Sequence, residues 1–227
     1  MWIASLLAAI LLAYANGAND NFKGVATLFG SRTTNYRRAL NWACSTTLAG
    51  SIAAVWIAQE LLETFSGRGL VPDSVASAPE FSASVGLGAA VTVLLATYLG
   101  LPISTTHALT GALVGAGLIH AANEVAFSHL GTAFVAPLLF SPLLAMICAA
   151  GLYRIFRACR TALGINKESY LFRSIPVVKV LDQLHYLSAG AVGFARGLND
   201  TPKIAALLVA SSTLIPEARY GVVALFI

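Results

Sequence analysis

Two short phrases carry the chemistry that most needs explaining. Residues 17–23 read Gly-Ala-Asn-Asp-Asn-Phe-Lys and residues 197–203 read Gly-Leu-Asn-Asp-Thr-Pro-Lys, an offset of 180 residues. Each phrase lies in an apolar stretch, where a carboxylate is costly and needs a partner. If Asn19-Asp20 and Asn199-Asp200 meet, the two acids repel and need cations or protons between them. Amide and carboxylate oxygens are hard ligands, so all four residues are candidate sodium ligands. A bound cation would also cancel the negative field and admit an anion. The plainer alternative is an Asn-Asp turn capping the next half-helix. The two are compatible, because a broken helix exposes amides that favour an anion. Lys23 and Lys203 follow their aspartates by three residues, on the same helical face. They serve either as local neutralisation or as an electrostatic contribution to anion binding and coupling.

A third group is Ser104-Thr105-Thr106-His107, two residues after Pro102. Three hydroxyls at a helix start, with free amide donors, make a cradle for an oxyanion. One hydroxyl is accounted for by capping, three and a histidine are not. His107 can donate to an anion, take a coupling proton, or act as a structural hydrogen-bonder. Ser104 with His107 raises the alternative of a membrane-embedded enzyme, but no Gly-x-Ser-x-Gly elbow is present. No phosphate-binding loop, metal finger or nucleic-acid signature occurs. Cys44, Cys148 and Cys159 have no paired spacing, so neither a disulfide framework nor a zinc site is expected. The reading is a non-enzyme with no cofactor apart from a coupling ion, Na+ or H+.

The elements that must position these residues are membrane helices. The 227 residues are 57% hydrophobic and only 11% charged, against about a quarter charged in a soluble domain. Residues 1–29 read as one crossing made of two half-helices, interrupted at 16–20. Further crossings are expected at 39–62, 83–100, 102–120 and 130–152. Ser45, Thr46, Thr47, Gly50 and Ser51 mark a face for close helix packing. Pro202 suggests a helix starting just after Asp200. Arg32, Arg37 and Arg38, and the basic segment 153–183, should be cytoplasmic, and the acidic loop 63–82 outside. Five crossings per unit is odd, so the next unit is inverted, and a shared central site is how many carriers alternate access. The expected fold is all-α: a polytopic transmembrane helical protein with inverted-topology repeats and broken helices. Its divisions are 1–152, a first transmembrane repeat; 153–183, a basic cytoplasmic linker; and 184–227, the start of a second, inverted repeat.

Together, Gly17-Ala18-Asn19-Asp20, Gly197-Leu198-Asn199-Asp200 and Pro102-Ile103-Ser104-Thr105-Thr106-His107 resemble the inorganic phosphate transporter family of the PiT type, in order and spacing. The resemblance implies uptake of inorganic phosphate across the cytoplasmic (inner) membrane by a multi-pass symporter coupled to Na+ or H+. It implies that the Asn-Asp pairs contribute cation and phosphate sites and that Ser104, Thr105 and Thr106 contact phosphate. Partners would be phosphate and the lipid bilayer, with no nucleic acid, and a homodimer is compatible with the reading. Two features depart from the family. Lys23 follows the first Asn-Asp where many members have small residues, and the second helix offers no acid. A second Pro-x-Ser-x-Thr-His element would fall beyond residue 227, so the expectation is a sequence lacking most of its second repeat. A sulfate permease of the same fold is the alternative ligand reading. An acceptor such as Asp20 or Asp200 favours phosphate, which can donate a hydrogen bond at neutral pH.

Overall fold

The computed structural model describes residues 2–164, 170–171 and 175–208. The architecture is helical: α1 Trp2–Asp20, α2 Ala26–Gly30, α3 Tyr36–Ile57, α4 Gln59–Phe65, α5 Asp73–Ala76, α6 Pro79–Tyr98, α7 Thr105–His120, α8 Phe127–Leu130, α9 Ala136–Ala162 and α10 Val177–Ala205. A two-residue antiparallel pair, Tyr170–Leu171 with Ile175–Pro176, is the whole of the β structure among the described residues. Among the described residues, four helical stretches are long and apolar enough to cross a membrane: Trp2–Gly30, Tyr36–Ile57, Pro79–Tyr98 and Phe127–Ala162. Residues 209–227 of the expected second repeat, and Lys167, Glu168 and Arg173 of the basic segment, lie outside the described residues.

The chain forms two compact units, one of Met1–Phe127 with Ala189–Ile227 and the other Ser128–Ser188. In the first, α1 packs most extensively on α6, and α6 on α7. Small residues make this possible, since Ala8, Ala9, Ala13, Ala89 and Ala90 are buried there without exception. Close backbone approach, rather than a driving force from water, is what holds helices together in lipid. The tightest approach is between α3 and α10. A Cβ on Gly50 would overlap the carbonyl of Phe194, and one on Gly197 would overlap that of Thr47. The hydroxyl face expected on the second crossing is therefore a packing face, with Ser51 Oγ accepting from Thr201 Oγ1 at 2.7 Å. Ser45 is the exception, exposed and bonded back to its own helix.

Several expectations need correcting. The first crossing breaks later than residues 16–20: α1 continues through Asp20, turns at Asn21–Phe22, and resumes through a 3₁₀ turn, Lys23–Val25, into α2. Phe22, Phe29 and Tyr36 stack over that turn, with Phe22 and Tyr36 ring centres 4.9 Å apart. The three rings contact one another at the bend, although Phe29 and Tyr36 stay about half exposed. No helix starts after Asp200, because α10 runs unbroken to Ala205 with Pro202 inside it. Proline removes one intrahelical bond there, and the helix gives way to a 3₁₀ turn, Ala206–Leu208. The helix within residues 102–120 is shorter than expected. α7 has 16 residues, about 24 Å at 1.5 Å per residue, against about 30 Å of hydrocarbon.

In the second unit a π-helical turn, Gly131–Val135, leads into α9. α9 carries Pro142 inside it and buries none of its residues. Arg154, Arg157 and Arg160, expected in a linker, are the last turns of that helix.

Candidate functional site

α10 presents the second phrase on a continuous helix, so Arg196, Asp200 and Lys203 stack at i, i+4 and i+7 on one face. Arg196 Nε stands 3.8 Å from Asp200 Oδ2, and Lys203 Nζ 3.6 Å from Asp200 Oδ1. Asp200 and Lys203 are buried, and the Arg196 side chain is only 12% exposed. Unpaired, any of the three would be prohibitive in an apolar setting. Formally the triad holds two cations and one carboxylate, an excess of one positive charge.

Asn16, fully buried on α1, ties this face to the rest of the molecule. Its Nδ2 donates to Thr105 Oγ1 at 2.8 Å and to Asp200 Oδ2 at 3.3 Å. Its side-chain oxygen accepts from the Arg196 guanidinium, and its backbone carbonyl accepts from Arg196 Nη2 at 3.2 Å. The other guanidinium nitrogen reaches Asn21 Oδ1 at 3.3 Å and Thr47 Oγ1 at 3.4 Å. Thr47 Oγ1 itself donates to Asn21 Oδ1 at 3.2 Å. A planar fork of five donors can join three elements at once, as a lysine could not. Lys203 Nζ donates to Thr106 Oγ1 at 2.7 Å and lies 5.6 Å from the centre of the Phe65 ring. One buried network thus joins α1, α3, α7 and α10.

A second cluster lies towards the end of α1. Asn19 Nδ2 donates to Thr97 Oγ1 at 2.8 Å and to the Leu101 carbonyl at 3.3 Å. Lys23 Nζ donates to Asn19 Oδ1 at 2.9 Å, to the Ile103 carbonyl at 3.2 Å, and to Asp20 in a short ion pair. A cleft of about 310 Å³ opens against Ala18, Asn19, Lys23, Thr97, Gly100, Leu101 and Pro102. The two clusters are linked through α1, which carries Asn16 in one and Asn19 in the other.

Of the residues expected at the site, Thr105, Thr106, Asp200 and Lys203 meet in the buried network. Asn19, Asp20 and Lys23 meet in the second cluster. Asn199 is exposed and, among the described residues, donates to Asp200 Oδ1 at 3.2 Å. Ser104 is the N-cap of α7, accepting from the His107 backbone amide at 3.3 Å. It caps the helix, and the His107 side chain is exposed. Sequence reading missed Asn16, Asn21, Thr47 and above all Arg196. The signal was available: Arg196 precedes Asp200 by four residues inside an apolar run, and it stands 180 residues after Asn16, its hydrogen-bond partner.

Comparison with known proteins follows the same lines. The sequence pattern of the phosphate transporter family matches residues 16–225. A Pyrococcus abyssi relative named "Putative phosphate permease" is 29% identical over 162 residues, covering 70% of this chain and 38% of its own length. A Bacillus subtilis relative named "Probable low-affinity inorganic phosphate transporter" is 23% identical over 202 residues, covering 88% and 56%. This chain therefore spans about two fifths of the length of the first of these and somewhat over half of the second. A solved structure titled "The sodium-dependent phosphate transporter" matches 99% of this chain and 74% of its own, with a TM-score of 0.72 at 17% identity, a likeness of fold. Since the family pattern runs through Asn16, both Asn-Asp phrases and the threonines of α7, this chain belongs to the phosphate transporter family.

Proposed function

We propose that the protein is a secondary carrier that moves inorganic phosphate across the cytoplasmic membrane, driven by a sodium or proton gradient. The observation that carries this reading is the excess positive charge of the buried triad, set among the hydroxyls of Thr105 and Thr106 and the amide of Asn16. Fixed donors and cations of this kind suit a tetrahedral oxyanion. In this reading phosphate exchanges for bonds the network makes to itself: Lys203 releases Thr106, Arg196 releases Asn16, and the freed donors close on the anion. Asp200 accepts the proton-bearing oxygen of hydrogen phosphate, which sulfate lacks at neutral pH. The cleft beside Asn19 and Lys23 is the entry on one side.

The test is uptake of radiolabelled phosphate by proteoliposomes containing the protein. Accumulation under an imposed sodium or proton gradient, undiminished by excess sulfate, is the expected result. Failure to accumulate under either gradient would overturn the carrier reading. Gradient-independent formation of a new phosphorus compound would point to the enzyme instead.

A further inference from the structure

Lys23 is held as a metal ion would be. Its Nζ faces a side-chain amide oxygen, a backbone carbonyl and a carboxylate, from Asn19, Ile103 and Asp20. Those are the oxygen types a hard cation recruits. The second copy of the phrase repeats the device. Lys203 Nζ is held by the Thr106 hydroxyl at 2.7 Å and the Asp200 carboxylate at 3.6 Å, with the Phe65 ring beside it. A lysine ammonium is a compact point charge with three donors, so it occupies both the space and the lone pairs that a sodium ion would need. The charge balance points the same way. Asp20 with Lys23 is already neutral, and the Arg196–Asp200–Lys203 triad is already positive by one. A further cation at either place would meet an ammonium at close range, where like charges repel strongly.

Resting on the carrier reading above, we propose that Lys23 and Lys203 are tethered cations that fill the two Asn-Asp sites, so that this protein binds and moves phosphate without sodium. Of the two candidate gradients, the proton gradient is then the one that drives it.

Two measurements test this, one of them independent of transport. In detergent, the melting temperature of the purified wild-type protein is expected to be the same in sodium chloride and in choline chloride. Lys23→Ala vacates the three oxygens and is expected to gain a sodium-dependent rise. The side chain is 44% exposed, so this variant is the one to make rather than the buried Lys203→Ala. In proteoliposomes with a proton gradient, wild-type uptake is expected to be equal in the two salts. Lys23→Ala is expected to lose about tenfold in choline, the loss of one close charge pair, and to recover with sodium. Wild-type melting or uptake that depends on sodium would overturn the proposal, as would a folded Lys23→Ala that gains no response to sodium. The wild-type salt comparison stands whether or not the variant folds. Absence of phosphate uptake under every gradient would defeat the carrier reading, and the melting experiment would still decide the role of the lysines.

Discussion

Among the described residues, Asn16, Asn21, Thr47 and Asp200 all converge on Arg196. Replacing it by glutamine leaves the side-chain oxygens of Asn16 and Asn21 short of a donor and gives Asp200 only Lys203 as counter-ion. Asp200 and Lys203 remain a neutral pair, so the loss is that of hydrogen bonds to buried oxygens, about 1–3 kcal/mol, and Arg196→Gln is expected to melt at a lower temperature and to take up little phosphate. Arg196→Lys keeps the charge but cannot hold Asn16 on one side and Asn21 with Thr47 on the other. Its uptake should therefore remain low, and full uptake by that variant would show that charge alone matters. Asp20→Asn and Asp200→Asn separate two roles of the acids. Each removes a charge while keeping an oxygen in place, so membrane insertion should survive and gradient-coupled uptake should not. Wild-type uptake by either would remove that aspartate from the coupling machinery.

At the scale of elements, the distance between α3 and α10 decides whether the network can form. Gly50 and Gly197 let the two backbones touch, and that contact brings Thr47 within reach of Arg196 and Ser51 within reach of Thr201. A methyl group at either position must push the helices apart. Overpacking of this kind costs about 1–3 kcal/mol, so Gly50→Ala and Gly197→Ala are expected to lower the melting temperature and weaken uptake together. Gly111 and Gly115 on α7 make the control, because a Cβ there meets open space. Gly111→Ala should leave stability unchanged or raise it by about 0.5–1 kcal/mol, the usual gain from replacing a helical glycine. Equal damage from all three changes would mean that helix propensity, not the α3–α10 approach, had been measured.

For the molecule as a whole, the arrangement of charge sets its direction in the membrane. Phe127–Ala162 spans 36 residues, about 54 Å if straight, so it overruns the hydrocarbon and carries Arg154, Arg157 and Arg160 out at one end. Cationic ends stay on the cytoplasmic side, as should the turn with Arg32, Arg37 and Arg38. Ser31→Cys is expected to react with a membrane-impermeant maleimide only from the cytoplasmic side, and Asp73→Cys only from the outer side. The reverse labelling would invert the molecule and exchange the sides on which the cleft near Asn19 opens.

Composition and apolar run length were enough to establish a helical membrane protein, because the bilayer leaves backbone polar groups no partner outside a helix or a closed barrel. The duplicated Asn-Asp-x-x-Lys phrase marked two clusters for a related reason: an ionised side chain in an apolar run needs a partner, and each aspartate is paired with its own lysine. Spacing along the chain could not reveal which groups meet across helices. Ser104 and Thr105 are neighbours in sequence, yet one caps α7 in the open and the other is buried against Asn16. Asn199 and Asp200 divide in the same way. Arg196 was passed over in the sequence, and it is the close contact between α3 and α10 that places its guanidinium between α1 and α3. Partnership in a buried network depends on where helix faces come to lie, and only the tertiary packing of small residues decides that.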